Sequence, residues 1–139
     1  MNRANCILTG TTVAILAFWP VSLQAASARI NYLLYCTGCH GVSGEGSPPN
    51  VPTLVGELGK MIKVPEMRDY LVQIPGAASA PIDDMELTAV INWILHKFNE
   101  DTLPEDFEDM TASEVSKARK DVLADPLKYR ITHWKNYPE

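Results

Sequence analysis

Cys36-Thr37-Gly38-Cys39-His40 sets two thiols apart by two residues and follows them at once with an imidazole. In a tight turn each thiol can add to one vinyl group of a haem, and the next side chain then lies beneath the iron. The C-x-x-C-H spacing is therefore that of covalent c-type haem attachment. On this reading Cys36 and Cys39 hold the porphyrin, and His40 is the proximal iron ligand through a ring nitrogen. Gly38 and Gly41 suit a backbone that turns sharply against a flat macrocycle. Other chemistries fit less well. A thioredoxin-like redox pair needs a βαβ surrounding, and no strand pattern flanks the motif. A zinc site needs a second ligand pair, whereas His96 and His133 stand alone. A plain disulfide gives His40 no part.

The chain around this motif has the length of one ordinary domain: 139 residues, 46% hydrophobic and 21% charged. Its 17 acidic side chains outnumber its 12 basic ones, for a net charge of −5, which argues against a nucleic-acid partner held by phosphate contacts. The composition is also too balanced for a disordered acidic tail. Residues 1–28 carry one charge, Arg3, ahead of an apolar run from Cys6 to Leu23 that ends in small residues. This is the layout of a secretory signal peptide, cleaved after Ala25 or, in the alternative, after Ala28. An uncleaved membrane anchor is the competing reading, but the run is near the lower limit for a spanning helix and Pro20 suits a signal better. The expectation is export to the periplasm, with membrane contact only if the segment stays. Its removal takes Cys6 away and leaves Cys36 and Cys39 as the only cysteines.

Helical periodicity supplies the frame. Ile30, Leu33 and Leu34 recur at helical spacing just before Cys36, so this face is expected to turn to the core. Residues 43–52 are rich in Gly and Pro and read as loop. Met67, Leu71 and Ile74 share a face of a short helix that Pro75-Gly76 ends. Asp83 with Glu86 forms a capping box, and Ile82 and Leu87 stand at staple positions. The helix they open runs to about Phe98, with Leu87, Val90, Ile91, Ile94, Leu95 and Phe98 on one apolar stripe. Met85 and His96 fall on its outer side.

The CTGCH motif, the GEGSPPNVPTLVG stretch after it and the aromatic-rich DDMELTAVINWILHKF segment resemble the small class I bacterial monohaem cytochromes c, over about residues 29–98. The resemblance implies an all-α, class I cytochrome c-like fold of three to five helices around one covalent haem c. In that family a proline shortly after the motif offers its carbonyl to the other nitrogen of the ligating His. Pro52 matches that place, and the bond would fix the tautomer and ring plane of His40. A proline that only stiffens a turn is the alternative, shared with Pro48 and Pro49. The family's sixth ligand is usually a Met from the loop before the last helix, yet residues 75–81 contain none. Met61 or Met67 then supplies it, or they are plain core residues and the sixth position is open. Arg68 is a candidate partner for a haem propionate, with Tyr70 and Trp93 as further donors.

The resemblance leaves residues 100–139 uncovered, so the expected organisation is a signal at 1–25, a cytochrome domain at 26–99 and a C-terminal extension that packs on it. Glu100, Asp101, Glu105, Asp106, Glu108 and Asp109 make an acidic stretch, either a surface that steers a basic redox partner or a solvated linker. Thr111 and Glu114 cap a helix expected to run through about Leu123, with Met110 and Val115 as its staple and Asp125-Pro126 as its stop. Tyr129, Ile131, Trp134 and Tyr137 are expected to fold the end back onto the body. The expected function is single-electron transfer without catalysis, between a periplasmic dehydrogenase and a downstream acceptor. The alternatives are a haem protein with an open sixth site for a small ligand or peroxide, and a haem subunit of a larger oxidoreductase.

Overall fold

A computed structural model describes residues 27–48 and 51–134; the expected signal segment, Pro49 and Tyr137 lie outside the described residues. Eight helical elements succeed one another there: α1 (Ala28–Tyr35), α2 (Thr37–His40), α3 (Leu58–Met61), α4 (Pro65–Gln73), α5 (Pro75–Ala78), α6 (Asp84–Asn99), α7 (Ala112–Ala118) and α8 (Pro126–His133). Among the described residues there is no strand, only an isolated antiparallel bridge between Ser47 and Val51. The fold is all-α, as the resemblance implied. Three of the elements, α2, α3 and α5, are single turns of four residues, so the expected three to five helices correspond to the five longer ones. No helix among the described residues is long and apolar enough to cross a membrane.

The last helix of the cytochrome-like stretch forms where its caps dictate. Asp83 accepts from Glu86 N at 2.8 Å and Glu86 returns a carboxylate to Asp83 N at 3.2 Å, satisfying two N-terminal donors reciprocally. Leu87, Val90, Ile91, Ile94 and Leu95 are buried along one face, and Met85 is 73% exposed. Asn99 ends this helix inside the core at 1% exposure. Its amide donates to Leu54 O and Ile94 O and accepts from Gly59 N, so it ties the loop and α3 to α6.

The first helix turns a different face inward from the one expected. Ile30 and Leu34 are 43% and 66% exposed, whereas Tyr32 is fully buried. Aromatic packing overrides the aliphatic spacing here. The Tyr32 ring lies 5.1 Å from Trp93 and 5.5 Å from Phe98, within the range where tilted and edge-on pairs attract beyond simple burial. The Tyr32 hydroxyl donates to Gly41 O at 2.6 Å, and burial pushes its pKa up to about 12.

Pro65 and Pro75 stand at the first positions of α4 and α5, where a missing N–H costs nothing. The first therefore starts the helix two residues ahead of Met67. The C-terminal extension shares the core of the body: Met110, Val115 and Ala118 are buried in one cluster with Met67, Val72 and Val90. Thr111 and Glu114 cap α7 reciprocally, but it ends at Ala118 rather than near Leu123. Leu123 N instead bonds to Gln73 O at 3.0 Å, drawing the chain back over α4. Asp125-Pro126 opens a helix as well as ending the preceding turn. Asp125 accepts from Lys128 N at 2.9 Å, and α8 follows.

Two arginines fasten the extension. Arg119 donates to Ala78 O, Ala80 O and Ile82 O and pairs with Asp84. Arg68, expected at a haem propionate, is placed elsewhere. Its Nε meets Glu114 Oε1 at 3.1 Å, its Nη atoms meet Glu108 O and Asp109 O, and its guanidinium sits 5.8 Å over the Phe107 ring. The acidic stretch is thus gripped from the body, with His96 Nε2 also 2.6 Å from Asp109 Oδ1. Trp93 belongs to the α1–α6 aromatic cluster.

Two outcomes follow for stability. Replacing Asn99 by Leu strands a carbonyl and an amide in the core, so chemical denaturation should show a loss of roughly 2–4 kcal/mol. The Thr111 amide, helped by Arg68 against partial burial, holds the Glu114 carboxyl below its usual 4.5. That contribution is present above the usual value and is lost as pH falls through the folded one. Glu114→Gln should therefore cost below about 1 kcal/mol at neutral pH, since the group is part-exposed. Urea titrations should show the gap from wild type closing in acid.

Candidate functional site

The end of α1 and the single turn of α2 present the motif. Cys36 closes α1, its N–H bonded to Tyr32 O, and also opens α2. Thr37 Oγ1 returns to Leu33 O at 2.9 Å. One turn therefore carries Cys36, Cys39 and His40, anchored at both ends to Tyr32 and Leu33. The chain leaves it through Gly41 at φ 70°, where a Cβ would run into the Glu45 carboxylate. Gly38 lies within the helical turn with open space around it, so the sharp reversal expected of both glycines falls on Gly41.

The following loop delivers Pro52 to His40. Gly46 N bonds to His40 O, Ser47 and Val51 exchange both backbone bonds, and Leu54 N bonds to Gly44 O. Gly46, at φ 66°, leaves room for the Pro52 carbonyl, which a Cβ there would meet at 2.5 Å. The result is a contact of 3.1 Å between His40 Nδ1 and Pro52 O. A carbonyl only accepts, so Nδ1 carries the proton and Nε2 keeps its lone pair. Burial lowers the His40 pKa, with the Pro52 carbonyl opposing part of the shift; the ring is neutral, as a metal ligand must be.

Cys36 and Cys39 are free thiols, one half-buried and the other exposed. Burial, with Cys39 beside it, pushes the Cys36 thiol up. Both line a cavity of about 540 Å³ together with His40 and Pro52. Its remaining wall is mostly apolar, built by Leu54, Leu71, Leu87, Val90, Ile91 and Ile94. Such a volume, dry walls and a few convergent polar groups suit a drug-sized or larger ligand. The donor set suits a covalently held macrocycle: two unbridged thiols at one edge and one oriented, neutral imidazole.

Not every expected residue reaches this cavity. Met61 lines it, while Met67 is fully buried in the core beside it. Tyr70 lines it; Arg68 instead borders an open groove of about 770 Å³ under the acidic stretch, which has neither Cys nor His. Tyr35, Ala77 and Arg130 are lining residues that sequence reasoning missed. Asp125-Pro126 was the available signal for Arg130, because an Asp N-cap followed by Pro announces a helix as readily as it ends one. Among the described residues, no group of three or more His, Cys, Asp or Glu could hold a metal ion. The βαβ frame of a thioredoxin-like pair is likewise missing from them.

No family model matches the chain. Two curated proteins are similar over most of their length. A cytochrome c-552 of Thermus thermophilus is 28% identical over 128 residues, covering 78% of this chain and 85% of the relative. A second cytochrome c-552 of the same species is 28% identical over 114 residues, covering 69% and 86%. Over this share of both chains, and with an all-helical fold around the Cys36–His40 turn, the protein is similar to these cytochromes c-552.

Proposed function

We propose that the protein is an exported c-type cytochrome that carries single electrons between redox proteins, a periplasmic dehydrogenase on one side and an acceptor on the other. One observation carries the reading: a single helical turn presents Cys36, Cys39 and His40 to an apolar cavity while the Pro52 carbonyl holds the His40 ring. One haem c, joined through Cys36 and Cys39, would supply a reversible ferrous–ferric couple there. The signal segment at 1–25 would be removed on export, leaving the cytochrome domain and its extension.

The chain's part is to bind, orient and keep water out. His40 would offer Nε2 to the iron of that group, and the Pro52 carbonyl holds the ring in one orientation and tautomer. Met61, from α3, is the proposed sixth ligand, because it reaches the cavity and Met67 does not. The apolar walls lower the local dielectric and would favour the less charged ferrous state of a bound haem. Cys39 and Tyr35, both exposed beside the cavity, mark the edge at which a partner would meet the cofactor. A second reading keeps one specific support. The stretch that usually brings the sixth ligand contributes Gly76 and Ala77 to the cavity wall and no sulfur, which favours an open iron site for a small ligand or peroxide.

Cys36→Ala or Cys39→Ala should yield little holoprotein when co-expressed with haem-attachment machinery. Absorption spectra and intact mass check this, and normal haem content in either variant would end the proposal. Met61→Ala should abolish the weak far-red charge-transfer band of Met-ligated ferric haem and let carbon monoxide bind the ferrous form. Met67→Ala should keep that band while losing about 2–5 kcal/mol of stability to the cavity it leaves. A wild-type protein whose ferric form lacks the band and whose ferrous form binds carbon monoxide selects the second reading.

A further inference from the structure

The charge inventory of the cavity is lopsided. Among the described residues that line it there is no Asp, Glu or Lys, and one cationic side chain, Arg130. This arginine comes from α8, in the extension that the class I resemblance does not cover. Its residue is 2% exposed, and an arginine is taken out of water to that degree only when anionic groups compensate it. Glu57 is one: its Oε2 lies 3.7 Å from Arg130 Nη2. Glu57 does not line the cavity, so the pair straddles the wall with its positive member at the cavity surface.

The helix that brings Arg130 is built into this wall. Pro126, Leu127 and Arg130 all line the cavity and fall on one face by their spacing of one and four residues. Leu127 is nevertheless 51% exposed, an apolar side chain at the mouth that an occupant would cover. Asp125 caps the helix, and Tyr129 stacks on Tyr70 at 5.9 Å and 13° between planes. Tyr70 itself lines the cavity. The cationic wall is therefore fixed in place by packing that does not involve the Glu57 contact.

We propose that Arg130 receives a propionate carboxylate of the bound haem, so that α8 is a structural wall of the haem site rather than a peripheral tail. A guanidinium matches a carboxylate in charge and in planar, forked geometry. The inference rests on the haem reading above. It assigns to Arg130 the part that sequence reasoning gave to Arg68, which is occupied by Glu114 and two backbone carbonyls.

The test uses the full-length holoprotein. Haem content is measured first, by absorption and intact mass; a wild-type chain that carries no haem overturns the haem reading, and this inference with it. Redox-difference infrared spectroscopy then follows the propionate carboxylate bands, assigned by isotopic labelling of the haem. Arg130→Gln should shift those bands and lower the reduction potential, because removing a nearby cation relieves repulsion of the more positive ferric state. Glu57→Gln should leave the carboxylate bands in place, although it breaks the same ion pair. If Arg130→Gln does not fold, Arg130→Lys keeps the charge but loses the fork and should still move the bands. Haem-loaded Arg130 variants with wild-type propionate bands would overturn the assignment while leaving the haem reading intact.

Discussion

The hydrogen bond between His40 and the Pro52 carbonyl is the constraint around which the rest is arranged. An imidazole is useful beneath a metal only if it is neutral, points one way and offers a particular nitrogen. Each condition has a visible cause here. Burial removes the proton from one nitrogen, the carbonyl retains it on the other, and the ring cannot turn without breaking a 3.1 Å contact. The carbonyl is in place because the Ser47–Val51 bridge closes the loop and Gly46 leaves it space. The ring is in place because α2 is pinned to α1 through Thr37 and Tyr32.

Body and extension are held as one unit by polar side chains acting on backbone groups. Asn99 joins α6 to Leu54 and Gly59, Arg68 holds the carbonyls of Glu108 and Asp109, and Arg119 gathers three carbonyls ahead of α6. In each case a buried or half-buried backbone group that lacks a helical partner finds a side-chain one. Met110, Val115 and Ala118 then extend the apolar cluster across the junction. The acidic stretch is consequently tied to the body, because its backbone is grasped at both Glu108 and Asp109.

Much of this was legible in the residues. The two capping boxes, at Asp83/Glu86 and Thr111/Glu114, form as their spacing implied, and the apolar stripe of α6 is buried where the period placed it. Local chemistry decides such features, so a local reading finds them. The failures share one cause, which is competition from distant partners. Ile30 and Leu34 have the right spacing for a core face, but Trp93 and Phe98 draw Tyr32 inward instead. Arg68 is near the right elements, but Glu114, 46 residues later, takes it. Nothing in the spacing of Met61 and Met67 separates them; in three dimensions Met61 lines the cavity and Met67 packs in the core beside it.

The buried phenol at Tyr32 has a consequence at the alkaline end of the scale. Its ionisation lies near 12 in the folded protein against an ordinary 10.0, so the neutral form is the one the native state accepts. Below pH 10 folded and unfolded chains carry the same proton, and the donor to Gly41 is intact. Between 10 and about 12 only the unfolded chain gives the proton up, so base progressively favours unfolding. The turn that carries His40 thus has its own alkaline limit, set by a side chain that never touches the cavity.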